Sequence, residues 1–494
     1  MSENTEKLTS FKDSFKATTL FGGVQIYNIL IQIIRSKFIA VLLGPSGMGV
    51  YNLYSSTINT ISTISGMGLT RSAVKNISEQ ESSGNKKGLF EVIGVFRNLV
   101  WGTGVLGLCI CLFLSPKLSE WTFGNRDYTV GFIILSLSLL FQQLTSGQTT
   151  VMQGLRKYRY MAKANVIGNT VGLLFSVPLL YFYNVKAIVP VLLLSSIVAL
   201  IISIKFYTKI DLEKVAIPKQ TFISEGKNMI IMGVALSVTS MLSVIVAYLL
   251  RIFIERQGGL ADVGLFAAGY AIVSTYVGMV MNAMTTDYYP RLCAVNNDVN
   301  SLNEVVNNQM EIGFIILAPL IVVFIVLIKL IVIILYSDKF QPVEGMMYWA
   351  MFSTYFQMFA LCLSHIFLAK GDSKLFITNE MISNIYTIPF QFLGYYLGGL
   401  TGLGIAFLLN FILYALQVLI ICKKKYSVTV KKSTLILFFK QMPVIICCLL
   451  LVIFATPIIK YSIGSLFIIC SLYMAYNDLD KRIEIKNVIK QIKR

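Results

Sequence analysis

The chain has 494 residues, 56% of them hydrophobic and 13% charged, and a mean hydropathy of +0.72. A soluble chain carries about 25% charged residues, so an ordinary soluble enzyme is excluded; apolar runs of roughly 20 residues recur instead, as in helices that cross lipid. The net charge of +18 is spread through short segments between apolar runs rather than gathered into a groove-binding patch, which argues for orientation signals and against a nucleic-acid partner.

The pattern predicts an all-α polytopic membrane protein, since a transmembrane barrel would alternate over segments of about 10 residues. The opening "MSENTEKLTSFKDSFK" is polar and mixed in charge, unlike a signal peptide, and residues 1–16 read as a cytoplasmic N-terminus. Helices are expected at 17–43, 48–74, 89–115, 128–153, 162–184 and 187–206, an N-lobe spanning 17–206. A cytoplasmic linker at 207–228 follows. Helices at 229–254, 262–290, 310–336, 343–369, 375–398 and 400–421 then make a C-lobe, 229–421. After a basic cytoplasmic loop at 422–434, weaker apolar runs at 435–457 and 462–477 predict one more hairpin (435–477). A basic cytoplasmic tail at 478–494 completes the chain, giving twelve core helices or fourteen in all. Most of the 42 Lys and Arg residues fall on the side shared by both termini, which places both ends inside.

Sliding the chain on itself by a single offset sets "GVYNLYSS" from Gly49 on "GLFAAGYA" from Gly264. The same offset sets Phe141-Gln142 on Phe356-Gln357, Asn169 on Asn384, and Asn165 on Glu380. Six helices resemble the next six, each set starting inside, as in parallel repeats about an axis along the membrane normal. An offset one position longer sets Arg35 on Arg251.

Polar residues form stripes on otherwise apolar cylinders. In the first helix Gln25, Asn28, Gln32 and Arg35 are spaced 3, 4 and 3, one face at 100° per residue. In the second, Asn52, Ser55, Asn59 and Ser62 repeat the spacing; the eighth offers Ser274, Gly278, Asn282 and Thr285. Such stripes either line a hydrated cavity or serve as packing seams. A seam has no need of an arginine, whose placement near a span centre costs about 2.5–3.5 kcal/mol on insertion scales. Arg35 lies in the outer half of its helix, so snorkelling to the surface is the alternative. Lys37 is turned about 200° from Arg35. Fixed cations imply an anionic guest; guanidinium forks suit phosphate oxygens, and amides and hydroxyls suit sugars.

No G-x-x-x-x-G-K-[ST] occurs, the eight cysteines follow no ligand spacing, and His365 is the sole histidine. No metal site, cofactor or catalytic constellation is expected: this reads as a transporter. Asp478-Leu-Asp480 is read as a solvated segment of the tail. Glu380, in a span at the repeat position of Asn165, is the leading candidate for ion or proton coupling, followed by His365. Asp287 is the third coupling candidate, though it stands four residues before Arg291, the spacing of a helical ion pair.

"IIRSKFIAVLLGPSGMGVYNLYSS", "FGNRDY", "TDYYPRL", "LYSDKF" and "IFLAKGDSKLFITNE" resemble, in order, segments of the Wzx-type O-antigen and lipid III flippases. These form the polysaccharide transport branch of the multidrug/oligosaccharidyl-lipid/polysaccharide exporter superfamily, and the resemblance covers about residues 11–421. It implies two six-helix lobes around a cavity that faces each side in turn. The substrate implied is undecaprenyl-pyrophosphate-linked oligosaccharide, moved from the cytoplasmic to the periplasmic leaflet of the bacterial inner membrane. Lys37 in "KFIAVLLGP" and Arg251 in "YLLRIF" match the family's basic residues in the first and seventh helices; Arg35 rests on the stripe and the repeat. Membrane lipids, a polysaccharide polymerase and a chain-length regulator are the partners implied. The extra hairpin departs from the twelve-helix pattern and resembles the fourteen-helix lipid II flippases. A drug or cation antiporter of the same superfamily, or a scaffold of the assembly machinery, are the competing readings.

Overall fold

The computed structural model describes residues 2–213, 215 and 217–483, with side chains from residue 23 onward except at 276; the basic tail from 484 lies outside the described residues. Thirteen α-helices run through them: α1 Ser2–Ser65, α2 Leu69–Ser82, α3 Lys86–Phe123, α4 Thr129–Gly154, α5 Tyr158–Tyr183, α6 Ile188–Tyr207 and α7 Lys219–Ala271. There follow α8 Gly278–Ala294, α9 Val299–Leu335, α10 Glu344–Ala369, α11 Ser373–Tyr426, α12 Lys432–Phe454 and α13 Pro457–Ile483.

Ten helical stretches among the described residues are long and apolar enough to cross a membrane. Four of them run to 43, 50, 76 and 54 residues, far beyond the roughly 20 that one crossing needs. Each holds a backbone break. In α1 it is Gly44 (φ 67°, ψ −171°); only glycine takes this conformation without strain, and Pro45 restarts the helix where its missing N–H is no loss. Gly259 breaks α7 in the same way (φ 77°, ψ −177°). Asn184 separates α5 from α6 (φ 49°, ψ −132°), and Gly399 divides α11 (φ 56°, ψ −142°). The offset that carries Gly49 onto Gly264 also carries Gly44 onto Gly259 and Asn184 onto Gly399. Arg156 and Gly371, both with positive φ, are spaced the same way.

The chain divides into two compact units, Met1–Gly264 and Leu265–Arg494. In the first, the second expected helix ends at Ser65 rather than at residue 74. Met67 and Gly68 take positive φ and turn the chain into the separate amphipathic helix α2, which buries Leu69, Ala73 and Ile77 at i, i+4, i+8. These join a core with Phe96, Val100, Val151 and Met229. The 207–228 linker is helical from Lys219 onward, where α7 begins. Along its length α7 is tied to α2 and α3. Arg71 donates to the Leu236 carbonyl at 2.6 Å, Tyr248 shares a 2.6 Å hydrogen bond with Thr122, and Arg256 caps the carbonyl of Glu120.

In the second unit α9 buries Phe314, Leu317, Ile321, Ile325 and Ile328, one apolar stripe at helical spacing. Both helices of the C-terminal hairpin pack on α9. From α12, Phe438 enters a ring cluster with Phe314, Tyr355 and Phe359 at centroid distances of 5.1, 4.9 and 5.7 Å. Arg482 of α13 pairs with Glu311 of α9 at 2.7 Å, and Thr434 of α12 donates to the other Glu311 oxygen at 2.9 Å. Lys460 donates to the Tyr348 hydroxyl at 2.9 Å, which itself donates to Glu344. Asp478 is not solvated as the sequence suggested: it is 6% exposed and ion-paired with Lys440 at 2.7 Å. A carboxylate in a basic tail reads as solvated only until the helix it belongs to is seen to continue to Ile483.

Candidate functional site

The polar stripe of α1 meets α5. Asn169 donates its amide to Asn28 Oδ1 at 3.0 Å, and Tyr27 shares a hydrogen bond of 2.6 Å with Thr170. Gln25 and Gln32, on the same stripe, are exposed. One turn beyond Gln32, Arg35 is half-buried and lies over Gly172: a Cβ there would stand 3.4 Å from Arg35 Nη2 and 3.8 Å from Ser195 Oγ of α6. A Cβ at 172 would thus touch the guanidinium at ordinary contact distance. The Nε of Arg35 is buried and has no hydrogen-bond partner among the described residues, so the group retains unsatisfied donor capacity.

Lys37 and Arg251 are both half-buried, and Arg251 donates to the Ala247 carbonyl of its own helix at 2.8 Å.

Beyond the Gly44 break, the stripe of α1 divides its roles. Asn52 is taken up locally, donating to the Met48 carbonyl at 2.9 Å. Ser55 and Asn59 face a cavity of about 210 Å³ that is also lined by Ile58, by Leu135, Ser138 and Gln142 of α4, and by Leu192 of α6. The residues of α4 are the part that pattern reading missed. Ser138 bonds the Leu135 carbonyl at 2.6 Å, as a serine facing a packed neighbour would, so nothing in the sequence marks it as cavity-lining.

In the second unit a polar network crosses the two halves of α11. Glu380 accepts from the Tyr414 hydroxyl at 2.5 Å; buried Asn379 accepts from Gln417 at 2.7 Å, and Thr387 donates to Asn410 at 2.6 Å. Asn384, singled out by the repeat, donates to the Glu380 carbonyl at 2.8 Å. His365 bonds the Leu361 carbonyl through Nδ1 at 2.8 Å, between the rings of Tyr288 and Tyr289 at 6.1 and 6.2 Å. Asp287 is exposed and ion-paired with Arg291 at 2.7 Å, and Asn282 is exposed on α8.

Fold and interior together define a multi-pass helical membrane protein with polar groups buried along its spans. The chain belongs to the polysaccharide biosynthesis protein family, whose model matches residues 38–344. It is 22% identical over 405 residues to the "Putative O-antigen transporter" of Shigella flexneri, covering 78% of this chain and 92% of that one. It is 20% identical over 375 residues to the lipid III flippase of Escherichia coli (strain K12), covering 74% and 88%. Among solved structures, an inward-facing multidrug resistance MATE family transporter of the MOP superfamily superposes with a TM-score of 0.69 at 16% identity, over 81% of this chain and 94% of that one. The lipid II flippase MurJ, in an inward closed conformation, gives 0.64 at 15%, over 94% and 99%. These structural likenesses concern the fold; the curated relatives are a transporter and a flippase.

Proposed function

We propose that this protein is a flippase that moves undecaprenyl-pyrophosphate-linked oligosaccharide from the cytoplasmic to the periplasmic leaflet of the bacterial inner membrane by alternating access. The observation that carries the reading is Arg35: a guanidinium held in the span beside Gly172, its Nε buried and unsatisfied. Family membership and the curated relatives support the same substrate class.

The physical problem is a head group with two phosphates and several sugars that cannot enter lipid unaided. Arg35, Lys37 and Arg251 hold the pyrophosphate, Arg through forked hydrogen bonds that replace its water shell. Gln25, Asn28, Gln32, Asn52, Asn59 and Asn282 take the place of water around the sugar hydroxyls. The polyprenyl tail stays in lipid throughout. Counting each of the four broken stretches as two crossings gives fourteen spans, twelve in two six-helix lobes (17–206 and 229–421) related by a pseudo-twofold along the membrane normal, with the hairpin added. Both termini are cytoplasmic. A polymerase and a chain-length regulator act on the delivered product.

The second reading is a drug or cation antiporter, for which the half-buried carboxylate of Glu380 beside Tyr414 speaks. One experiment separates them. In a deletion strain the flippase reading expects lipid-linked oligosaccharide trapped on the inner leaflet and loss of surface polysaccharide, restored by wild type but not by Arg35→Glu with Arg251→Glu at equal protein level. Normal polysaccharide with lost drug resistance overturns it.

A further inference from the structure

The helix that opens the second sequence repeat is fastened to the first. Repetition in the sequence assigns residues 229–254 to the C-lobe, yet this stretch of α7 lies in the compact unit that ends at Gly264. Its attachments run along its length. Near its start, Met229 is fully buried in a core with Leu69 and Ile77 of α2 and Phe96 of α3, and Phe222 and Ile230 pack against that core. One turn on, Gly233 meets the Met67–Gly68 turn backbone to backbone: a Cβ at 233 would stand 2.6 Å from the Met67 carbonyl oxygen. Arg71 donates to the Leu236 carbonyl at 2.6 Å. Midway, Tyr248 shares a hydrogen bond with Thr122 of α3, whose hydroxyl lies 3.4 Å from that of Thr57 on α1. At the far end Arg256 donates to the carbonyls of Glu120 and Trp121, and a Cβ on Gly124 would collide with its guanidinium.

Such contacts are either gates that part in turn or permanent joints. A gating helix is free at one end while held at the other, because a cavity reached from one face is open there. Here both ends and the middle are engaged together. An occluded state would also close both ends, but it has no need of Met229 inside the core of the first unit, nor of a glycine backbone contact that allows no slack. The chain leaves this unit only past Gly264. Shortly after, its helix passes through a π-turn at Ile272–Val277, an irregularity at which helices bend.

We infer that residues 219–258 travel with the first unit during transport, so that the moving bodies are not the two sequence repeats. The flexible joint falls past Gly264 rather than in the 207–228 linker. The contacts of Arg71, Gly233, Tyr248 and Arg256 are then joints that persist through the cycle. The inference rests on the proposed function for what the motion accomplishes.

The test is to lock these joints. Lys75→Cys with Met232→Cys bridges α2 to α7 at one end, and Glu120→Cys with Arg256→Cys bridges α3 to α7 at the other. Each pair is closed in the purified full-length protein by a short bis-thiosulfonate linker that reductant removes. Mass spectrometry scores the linkage, and each single variant, treated alike, corrects for reaction at native cysteines. In proteoliposomes given undecaprenyl-pyrophosphate-linked oligosaccharide extracted from the deletion strain, both linked proteins are expected to flip it with no loss against their reduced forms. Arrest by either link, reversed by reductant, overturns the inference and makes that contact a gate. Spin-label distances across the same two pairs in nanodiscs need no transport. One narrow distance at each, unchanged by the lipid-linked oligosaccharide, is expected, and a second, longer population at either overturns the inference. If wild type flips nothing while both distances stay single, the flippase reading falls and the fastening of α7 stands.

Discussion

Gly49 and Gly264, counterparts in the sequence repeat, meet backbone to backbone. A Cβ added to Gly49 would collide with the carbonyl oxygen of Leu260, and a Cβ added to Gly264 would collide with the carbonyl oxygen of Pro45. Leu260 is the repeat counterpart of Pro45, so the contact is reciprocal: each residue touches the counterpart of its partner's contact. Small residues are what lets two helices approach closely in lipid. Gly49→Ala and Gly264→Ala are each expected to destabilise by about 1–3 kcal/mol as overpacking, seen as a lower unfolding midpoint in detergent. Unchanged stability in both would remove the close approach.

Arg35 offers a fork that lysine cannot copy. Arg35→Lys is expected to retain partial flipping in proteoliposomes, and Arg35→Glu to lose at least tenfold, the like charges repelling the pyrophosphate. If Lys and Glu variants transport alike, charge at residue 35 has no role in transport.

Glu380 and Tyr414 test the expectation from sequence that Glu380 couples transport to an ion or proton. Glu380→Gln keeps the hydrogen-bond geometry while removing the titratable proton, so transport should persist at a reduced rate and lose its dependence on an imposed pH gradient. Tyr414→Phe, which leaves the carboxylate in place, should retain that dependence. If the Glu380→Gln protein still responds to the gradient, the network is structural.

The hairpin is secured to α9 by Arg482 and Glu311, whose side chains are 31% and 11% exposed. Arg482→Ala leaves Glu311 without its cationic partner and should cost about 3 kcal/mol, the lower end for breaking such a pair. Differential scanning of the variant in detergent reads this directly. Glu311→Gln together with Arg482→Gln, which strands no charge, should cost less.

Asp372 caps α11 outside the spans and accepts from Lys425 and Tyr426. The hydrogen bond from Lys425 holds its carboxyl below the usual aspartate value, with the Tyr426 hydroxyl adding to it. A carboxylate held low in the folded protein favours folding above its unfolded pKa of about 3.9, and the benefit fades as pH falls through the folded value. The unfolding midpoint of Asp372→Asn should therefore fall less steeply than wild type on acidification below about pH 4. Parallel pH profiles would remove Asp372 from the acid response.

The class of fold was legible because crossing lipid imposes long apolar runs. Other features were not. The turn at Met67–Gly68 interrupts a run whose hydropathy continues, so residues up to 74 looked like one helix. Asp478 looked solvated because its partner, Lys440, is distant in sequence. Of the candidate site's polar residues, Arg35, Asn28 and Asn59 stand out by their spacing along the first two expected helices. Ser138, Gln142 and Leu192 do not, because a cavity wall drawn from three helices leaves no periodicity on any one of them.

The backbone breaks carry a lesson about descent. At the paired positions 156 and 371 an arginine corresponds to a glycine, and at 184 and 399 an asparagine does, yet φ is positive at all four. Across that single offset the residue type differs while the left-handed backbone is kept. Distant cousins of this protein, too diverged for letter-by-letter comparison, should be recognisable by the rhythm of their bends.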